Sequence, residues 1–311
     1  MVGSRAVTWF KDLRRAADQY QRRHKWLALP YAVVKKFGDD QGGRLAALIS
    51  YYGFFSIFPL MLALVSILGF VLQGNPHLQQ EVLNSTLSQF PVIGDELRHT
   101  GKLSGSGVGL AVGLVGLLWA GLGAIQATET AMNDVWEVPL KARPNFFKSK
   151  LRALAMLPVL GLGIVAVTII GSAATFSDNI GPIGAVVGIA LSFATSTGLF
   201  MVAFKLMTHR HLSWRMVLPG AVVGAAGWVA LQLVGGWYVG HEVQGASQTY
   251  GTFAVVIALL AWLYLLGQLV VLAAEVNVVV ACGLWPRSLS GEDLTDADLA
   301  GREFRPAGSG L

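Results

Sequence analysis

Long apolar segments separated by short polar connections dominate this sequence. A helix rises about 1.5 Å per residue and the hydrocarbon core of a bilayer is about 30 Å thick, so roughly 20 apolar residues can cross it. Six segments are of this length: Leu45–Leu72, Gly107–Gln126, Leu151–Phe176, Ile180–Met207, Met216–Tyr238 and Thr252–Ala281. Only Ser177-Asp178-Asn179 joins the third to the fourth, which predicts an antiparallel hairpin. The pattern predicts an all-α polytopic membrane protein with six transmembrane helices.

The segment before the first span is basic and amphipathic. Residues 1–44 contain ten Lys or Arg and four Asp, with apolar residues near helical spacing. Trp9 and Trp26 lie among arginines, as is typical of interfacial helices that contact anionic lipid headgroups. A solvated basic face that only sets topology is the alternative. This segment lacks a central apolar run, so no cleavable signal peptide is expected.

Lys and Arg are unevenly distributed between the two sides of the predicted spans. Of 23 such residues, 21 lie on the side of the two termini, and only Arg98 and Lys102 lie on the other. Because cytoplasmic loops are enriched in Lys and Arg, both termini are predicted to be cytoplasmic. We expect three regions: an interfacial segment 1–44, a membrane domain 45–285 with an extracytoplasmic loop 73–106, and an acidic, flexible cytoplasmic tail 286–311.

Composition excludes most soluble functions. Charged residues make up 13% of the chain and hydrophobic residues 54%, whereas soluble domains carry about 25% charged residues. The net charge of +5 is concentrated at span ends, so we expect a bilayer partner and no nucleic acid. The single cysteine, Cys282, excludes an internal disulfide, and the six histidines lack metal-site spacing. No cofactor, metal or catalytic residue is predicted.

Polar residues on one face of the first span could line a cavity. Tyr52, Ser56 and Pro59 follow at spacings of four and three, and Pro59 removes a helical hydrogen bond, which predicts a kink. Backbone groups freed in this way are tolerated at membrane depth only where protein or water satisfies them. The functional interpretation is a polar cavity wall with a hinge. The alternative is a kink that stabilises helix packing.

Two further faces extend this candidate cavity. Gln126, Glu129 and Asn133 lie on one face where the second span ends, although a helix emerging into water would explain the same pattern. One face of the sixth span carries Tyr264, Gln268 and Glu275, at spacings of four and seven residues. Glu275 is the one charged residue of that span.

A carboxylate inside a membrane segment is costly and calls for a partner. Lys205 lies in the last turn of the fourth span, which runs in the same predicted direction as the sixth. Both residues are therefore expected in the cytoplasmic half of the membrane. A buried Lys205–Glu275 ion pair is the sharpest structural hypothesis from the sequence.

Seven short elements follow one another along the membrane portion. They are RLAA at 44–47, SYY at 50–52, FSIFPL at 55–60, AMNDVW at 131–136, YGT at 250–252, WLY at 262–264 and AEVN at 274–277. In this order they resemble the YihY/BrkB family of bacterial inner-membrane proteins, over roughly residues 30–285; Val276 replaces the family's usual Leu or Ile. The resemblance implies six helices with both termini inside. Some members were once labelled ribonuclease BN, others virulence factors.

Three functions remain open at this level. The first is a transporter or exporter of a lipid-like or amphipathic solute, with Glu275 as a gate or coupling carboxylate. The second is a membrane scaffold or envelope-integrity factor, in which Glu275 is structural. A membrane enzyme is the third, and its ribonuclease form is rejected because no metal cluster or water-facing acid–base pair is visible. Small residues spaced for close helix contact favour packing within the bundle, and a homo-oligomer stays open as a further partner.

Overall fold

All regular secondary structure is helical in the part of the chain that the computed structural model describes, residues 15–71, 107–175, 181–238, 252–289 and 294–303. The helices are α1 (Lys25–Asp39), α2 (Gly42–Val71), α3 (Gly107–Val135), α4 (Phe146–Thr175), α5 (Gly181–Met207), α6 (Trp214–Tyr238), α7 (Thr252–Ala281) and α8 (Asp296–Glu303). Residues 15–23 are also helical, and a 3-10 turn at Leu140–Ala142 links α3 to α4. The predicted all-α class is confirmed.

Five helices, α3 to α7, contain stretches long and apolar enough to cross a membrane, counted within the described residues. These stretches are Ala111–Val135, Phe146–Val167, Ile189–Met207, Trp214–Gln232 and Val256–Ala281. At most 33% of each most apolar window is buried in the protein, so most of this apolar surface suits lipid. Helix α2, 30 residues long, coincides with the first predicted span. The predicted loop 73–106 and the turn at 177–179 lie outside the described residues.

The helices pack as a bundle whose main core lies near one end. Helix α2 packs along α3 and α7, α7 also packs on α6, and α5 contacts α4 and α6. We call the end where α3, α5 and α7 finish and α4 and α6 begin the charged end. The core there includes the fully buried side chains Met132, Trp136, Val271 and Val278. A smaller cluster around Ile57 and Trp262 joins α2 to α7.

A glycine sets the distance between α6 and α7. A Cβ atom on Gly220 would lie 1.9 Å from the carbonyl oxygen of Ala273, so any larger residue would separate the helices. The backbone N–H of Gly220 donates to Asn277 Oδ1 at 2.6 Å, and Asn277 is fully buried. This bond gives one polar atom of Asn277 a partner inside an apolar contact.

Helix α1 differs from the predicted interfacial helix because one of its faces is buried by protein. Ala28, Ala32, Val33 and Lys36 are buried, and the helix packs on α7. Trp26 on another face is 67% exposed, which leaves room for the predicted membrane-surface contact. The small residues at 28 and 32 allow this close approach, and the approach brings Lys36 into the bundle.

Part of the predicted flexible tail is folded against α1. Asp298 in α8 is buried and accepts hydrogen bonds from Lys35 at 2.8 Å and from the backbone N–H of Ser288 at 2.8 Å. Burial opposes its ionisation, but Lys35 and the donors at Ser288 and Thr295 outweigh that effect and lower the pKa of Asp298 to about 2. Within the predicted tail, Asp296–Glu303 thus form a helix, and its Asp298 binds neighbouring groups; the flexibility of the tail stays a prediction.

Candidate functional site

A buried cluster of one lysine and three carboxylates lies at the charged end. Glu275 in α7 is fully buried, and its Oε2 is 3.3 Å from the Nζ of Lys36 in α1. The same ammonium contacts the Asp40 carboxylate, lies 4.0 Å from Glu137 Oε1, and donates to the carbonyl oxygen of Val135 at 3.1 Å. We call Lys36, Asp40, Glu137 and Glu275 the Lys36 cluster. It joins α1, the end of α3 and α7 through one side chain.

Local backbone geometry positions the carboxylates of this cluster. Asp40 follows Lys36 by one helical turn, and the next residue, Gln41, has φ 54°. Glu137, just after α3, has φ 50°. Non-glycine residues adopt this left-handed region at a cost of order 1 kcal/mol or more, and they do so where the surrounding structure compensates. Both chain reversals carry a carboxylate toward Lys36.

Lys36 keeps its charge although it is buried. Burial alone would lower its pKa, but Glu275, Asp40 and Glu137 outweigh burial and raise the pKa above its ordinary value. An ammonium inside the protein is therefore compensated by the negative groups around it. The cluster can hold α1, α3 and α7 together permanently. Alternatively, it can act as a switchable ion pair, which breaks during a conformational change when Glu275 loses its contact with Lys36.

The predicted partner of Glu275 is corrected by this geometry. Lys205 does not pair with Glu275; its ammonium lies 4.3 Å from the ring centroid of Trp214, in a cation–π contact at the start of α6. The prediction considered only cations inside the spans. It failed because α1, which is not itself a span, packs against α7 and delivers Lys36 to the carboxylate.

A second polar cluster joins α3, α4 and the connection between α5 and α6. Glu129 Oε2 accepts a hydrogen bond from Ser149 at 3.2 Å, and Glu129 Oε1 lies 3.0 Å from His209 Nε2. Asn133 Oδ1 accepts from the backbone N–H of His209 at 2.8 Å, while its Nδ2 is 3.0 Å from the ring Nδ1. Arg152 donates to the last-turn carbonyl of Leu206 at 2.5 Å. We call Glu129, Asn133, Ser149 and His209 the His209 cluster.

His209 is neutral in this cluster at physiological pH. Burial, followed by the positive charges of Arg152 and Arg143, lowers its pKa to about 4. With Nδ1 accepting from Asn133, the ring proton is assigned to Nε2, facing Glu129. Glu129 Oε1 and His209 Nε2 nevertheless have no aligned hydrogen-bond partner among the described residues. Their separation of 3.0 Å places them close without a formed bond.

The His209 cluster does not have the order that nucleophilic catalysis requires. An activated serine needs the base beside its hydroxyl and an acid behind the base. Here the carboxylate of Glu129 stands between Ser149 and His209. The arrangement suits helix anchoring or proton binding and does not activate Ser149.

An apolar groove opens between α2 and α3. It encloses about 550 Å³, within the ~300–1,000 Å³ range of ligand pockets. Its walls are aromatic and aliphatic: Tyr51, Tyr52, Phe55, Pro59, Val115, Gly116, Trp119, Ala120 and Gly123. Glycines let the helices approach closely, since a Cβ at Gly116 would be 3.0 Å from Pro59 and one at Gly123 would be 2.8 Å from Tyr52. Trp119 is 83% exposed.

The residues predicted to line one polar cavity are divided among several places. Tyr52 and Pro59 line the groove, which is apolar. Glu129 and Asn133 belong to the His209 cluster, and Glu275 belongs to the Lys36 cluster. A continuous polar cavity through these residues does not appear in the described part of the chain.

The four other predicted residues lie on or near helix contacts. Ser56 donates to the carbonyl oxygen of Gly53 in its own helix at 2.7 Å. Tyr264 meets α2, since a Cβ at Gly43 would lie 3.3 Å from its hydroxyl. Gln126 and Gln268 are half-buried. None of these contacts identifies a solute site.

The sequence interpretation missed Lys36, Ser149, His209 and Trp119. Lys36 carried a usable signal, because it falls on the same helical face as Ala28 and Ala32, which are small. His209 and Ser149 carried none, because each lies in or beside a polar connection whose fold is set by tertiary contacts. No group of three or more His, Cys, Asp or Glu is placed to hold a metal ion within the described residues.

Comparison with known proteins places this architecture in a family. The family model described as virulence factor BrkB matches residues 33–285. The chain is 24% identical to the inner membrane protein YhjD of Escherichia coli over 295 residues, 88% of this chain and 86% of that protein. It is 22% identical to YfkH of Bacillus subtilis, named as ribonuclease-like, over 80% of this chain and 93% of that protein.

A further relative is named only by its location. A UPF0761 membrane protein of Alkalilimnicola ehrlichii is 27% identical over 81% of this chain and 58% of that protein. No solved structure matches. Two of these three relatives are named as membrane proteins, and the third carries the ribonuclease-like name. Since the family model covers most of the chain, this protein is a polytopic membrane protein of the virulence factor BrkB family.

Proposed function

We propose that this protein is a transporter or exporter that moves a lipid-like or amphipathic solute along the groove between α2 and α3. The observation that carries the proposal is the groove itself: about 550 Å³, apolar walls, and aromatic residues on both helices. Tyr51, Phe55 and Trp119 are exposed, so a solute could enter sideways from the bilayer. A hydrocarbon chain needs no polar partner there.

Pro59 supplies a place where the groove could change shape. Helix α2 continues through Pro59, but the missing N–H leaves the carbonyl of Phe55 without its helical donor. Gly116 lies directly opposite on α3. A bend of α2 at this point would widen or close the groove with little rearrangement of side chains.

The proposed orientation places both termini and the charged end in the cytoplasm. It is supported by the Lys and Arg distribution and by the gathering of Lys36, Glu129 and Glu275 at that end. Reporter fusions after residues 40, 140 and 303 should all report a cytoplasmic location. A reporter active outside the cytoplasm at any of these would reverse the orientation.

The transport proposal is tested by filling the groove. Ala120 lines it, and Leu118 on the same helix is exposed away from it. In proteoliposomes, Ala120→Trp should reduce flux of a fluorescent amphiphile at least tenfold, while Leu118→Trp should retain the wild-type rate. Wild-type flux in the Ala120→Trp protein would exclude the groove as the path.

A non-transporting scaffold is the second candidate, favoured by the Lys36 cluster. That cluster fastens α1 to the membrane bundle through a buried ion pair, and the partly exposed Lys35–Asp298 pair fastens α8 to α1. A rigid docking platform would require such attachments. Absence of flux for every amphiphile, with an intact fold, would favour this role. An enzymatic function has no support from the His209 cluster, whose order is wrong for nucleophilic catalysis.

A further inference from the structure

A cation stands beside the apolar groove and shares one of its wall residues. The Nζ of Lys150, in the second turn of α4, lies 5.8 Å from the ring centroid of Trp119 and 5.1 Å from that of Phe146. Trp119 is also a wall of the groove. The ammonium and the apolar surface are therefore adjacent parts of one site, joined by the indole ring.

The charge of Lys150 is not matched by an acidic group. Among the described residues its ammonium has only aromatic contacts and no ion-pair partner. The first turn of α4 contains no acidic residue, and Lys148 precedes Lys150 by two positions. Positive side chains are unfavourable at a helix N-terminus, where the helix dipole already contributes positive charge. An anion bound here would relieve that repulsion.

The surroundings of Lys150 fit a membrane interface. Phe146, Phe147 and Leu151 are exposed around it, and aromatic rings beside lysines are typical of the headgroup level of a bilayer. In the orientation proposed above, this level belongs to the cytoplasmic leaflet, whose anionic lipids attract basic residues. The groove runs from this point along α2 and α3.

We infer that Lys150 binds the phosphate of an anionic phospholipid whose acyl chain lies in the groove between α2 and α3. The inference rests on the proposed function, because it gives the solute of that groove a chemical class. Charge complementarity selects the headgroup, and the apolar walls accept the chain. The indole ring of Trp119 lies between the headgroup site at Lys150 and the apolar groove, and it would contact both parts of the lipid.

The test measures lipid contact at Trp119 in the full-length protein. Vesicles contain phosphatidylcholine with a small fraction of brominated phosphatidylglycerol or brominated phosphatidylcholine, and quenching at Trp119 is the difference between wild type and Trp119→Phe. We expect about fivefold preference for brominated phosphatidylglycerol, the factor that one basic residue contributes near a headgroup layer. Lys150→Gln should reduce the preference to about one. Lys205→Gln is the matched control, since its ammonium also stacks on a tryptophan, but that tryptophan does not line the groove.

Each alternative outcome contradicts a defined part of the inference. Equal quenching by both lipids would remove headgroup selection and overturn the inference, while the groove would remain a chain-binding site for transport. Absence of quenching at Trp119 by either lipid would overturn the inference and the groove-based function together. Lys150-dependent binding of millimolar inorganic phosphate, without any preference for brominated phosphatidylglycerol, would show a free-phosphate site and overturn the assignment to a lipid.

Discussion

Removing the Lys36 ammonium should destabilise the folded protein strongly. The Lys36 side chain is 3% exposed and that of Glu275 is 0% exposed, so water cannot replace the lost contact. Breaking a buried pair by deleting one partner costs ~3–5 kcal/mol, and we expect this loss for Lys36→Met. Glu275→Gln keeps an acceptor and should cost less, about 1–3 kcal/mol. Lys35→Met is the matched control: its ion pair with Asp298 is 25% exposed on the lysine side, and we expect about 1 kcal/mol.

The assay is reversible unfolding in mixed micelles, followed by tryptophan fluorescence, with the free energy of unfolding compared between variants. A double-mutant cycle of Lys36→Met with Glu275→Gln should give a coupling of about 2 kcal/mol, and the same cycle with Lys205→Met should give less than about 0.5 kcal/mol. Lys36→Met could also leave the free energy of unfolding within about 0.5 kcal/mol of wild type, the size of effect typical of an ordinary surface substitution. That result would refute the buried-pair argument. A coupling found instead for Lys205 would restore the partner predicted from the sequence.

Four further substitutions probe other parts of the fold. The native pKa of His209, about 4, is below its ordinary value of 6.5. Between these pH values the native state therefore binds fewer protons than the unfolded state, and stability should fall as the pH decreases. His209→Gln should flatten this pH dependence of the melting temperature, measured from pH 7.5 to 4.5. Gly220→Val should melt lower because its Cβ would meet the Ala273 carbonyl, whereas Gly38→Ala, in open space, should stabilise α1 by about 0.4–1 kcal/mol. Asp298→Ala should raise hydrogen exchange across 294–303; unchanged exchange would mean that α8 is held by other contacts.

The activity of Glu275 variants separates the two interpretations of the Lys36 cluster. If Glu275→Gln retains full flux while losing stability, the carboxylate serves packing alone. If flux falls in a variant that remains folded, the Lys36–Glu275 ion pair takes part in transport. Complementation of a deletion strain by the same variant gives an independent measure of the outcome in cells.

Local sequence was sufficient for the helices and their class. Each apolar segment is long enough to cross a bilayer as a helix, and a helix satisfies its backbone hydrogen bonds within the segment itself. The predicted spans and the helices therefore agree closely, as Thr252–Ala281 shows at both ends. The buried carboxylate in that helix was also visible from the sequence, because one charge in an apolar segment demands compensation.

The local sequence could not predict which cation pairs with Glu275. Which cation reaches Glu275 depends on how α1 packs against α7, and this follows from the small residues of α1, the turn at Gln41 and the close contact of neighbouring helices. Lys205 and Lys36 are equally basic in the sequence; only three-dimensional packing puts one of them on Trp214 and the other 3.3 Å from the carboxylate. Periodicity and charge are local properties, so the sequence by itself determined the membrane helices and their lone buried acid. The groove, the Lys36 cluster and the His209 cluster join residues from different helices, and tertiary structure alone decided them.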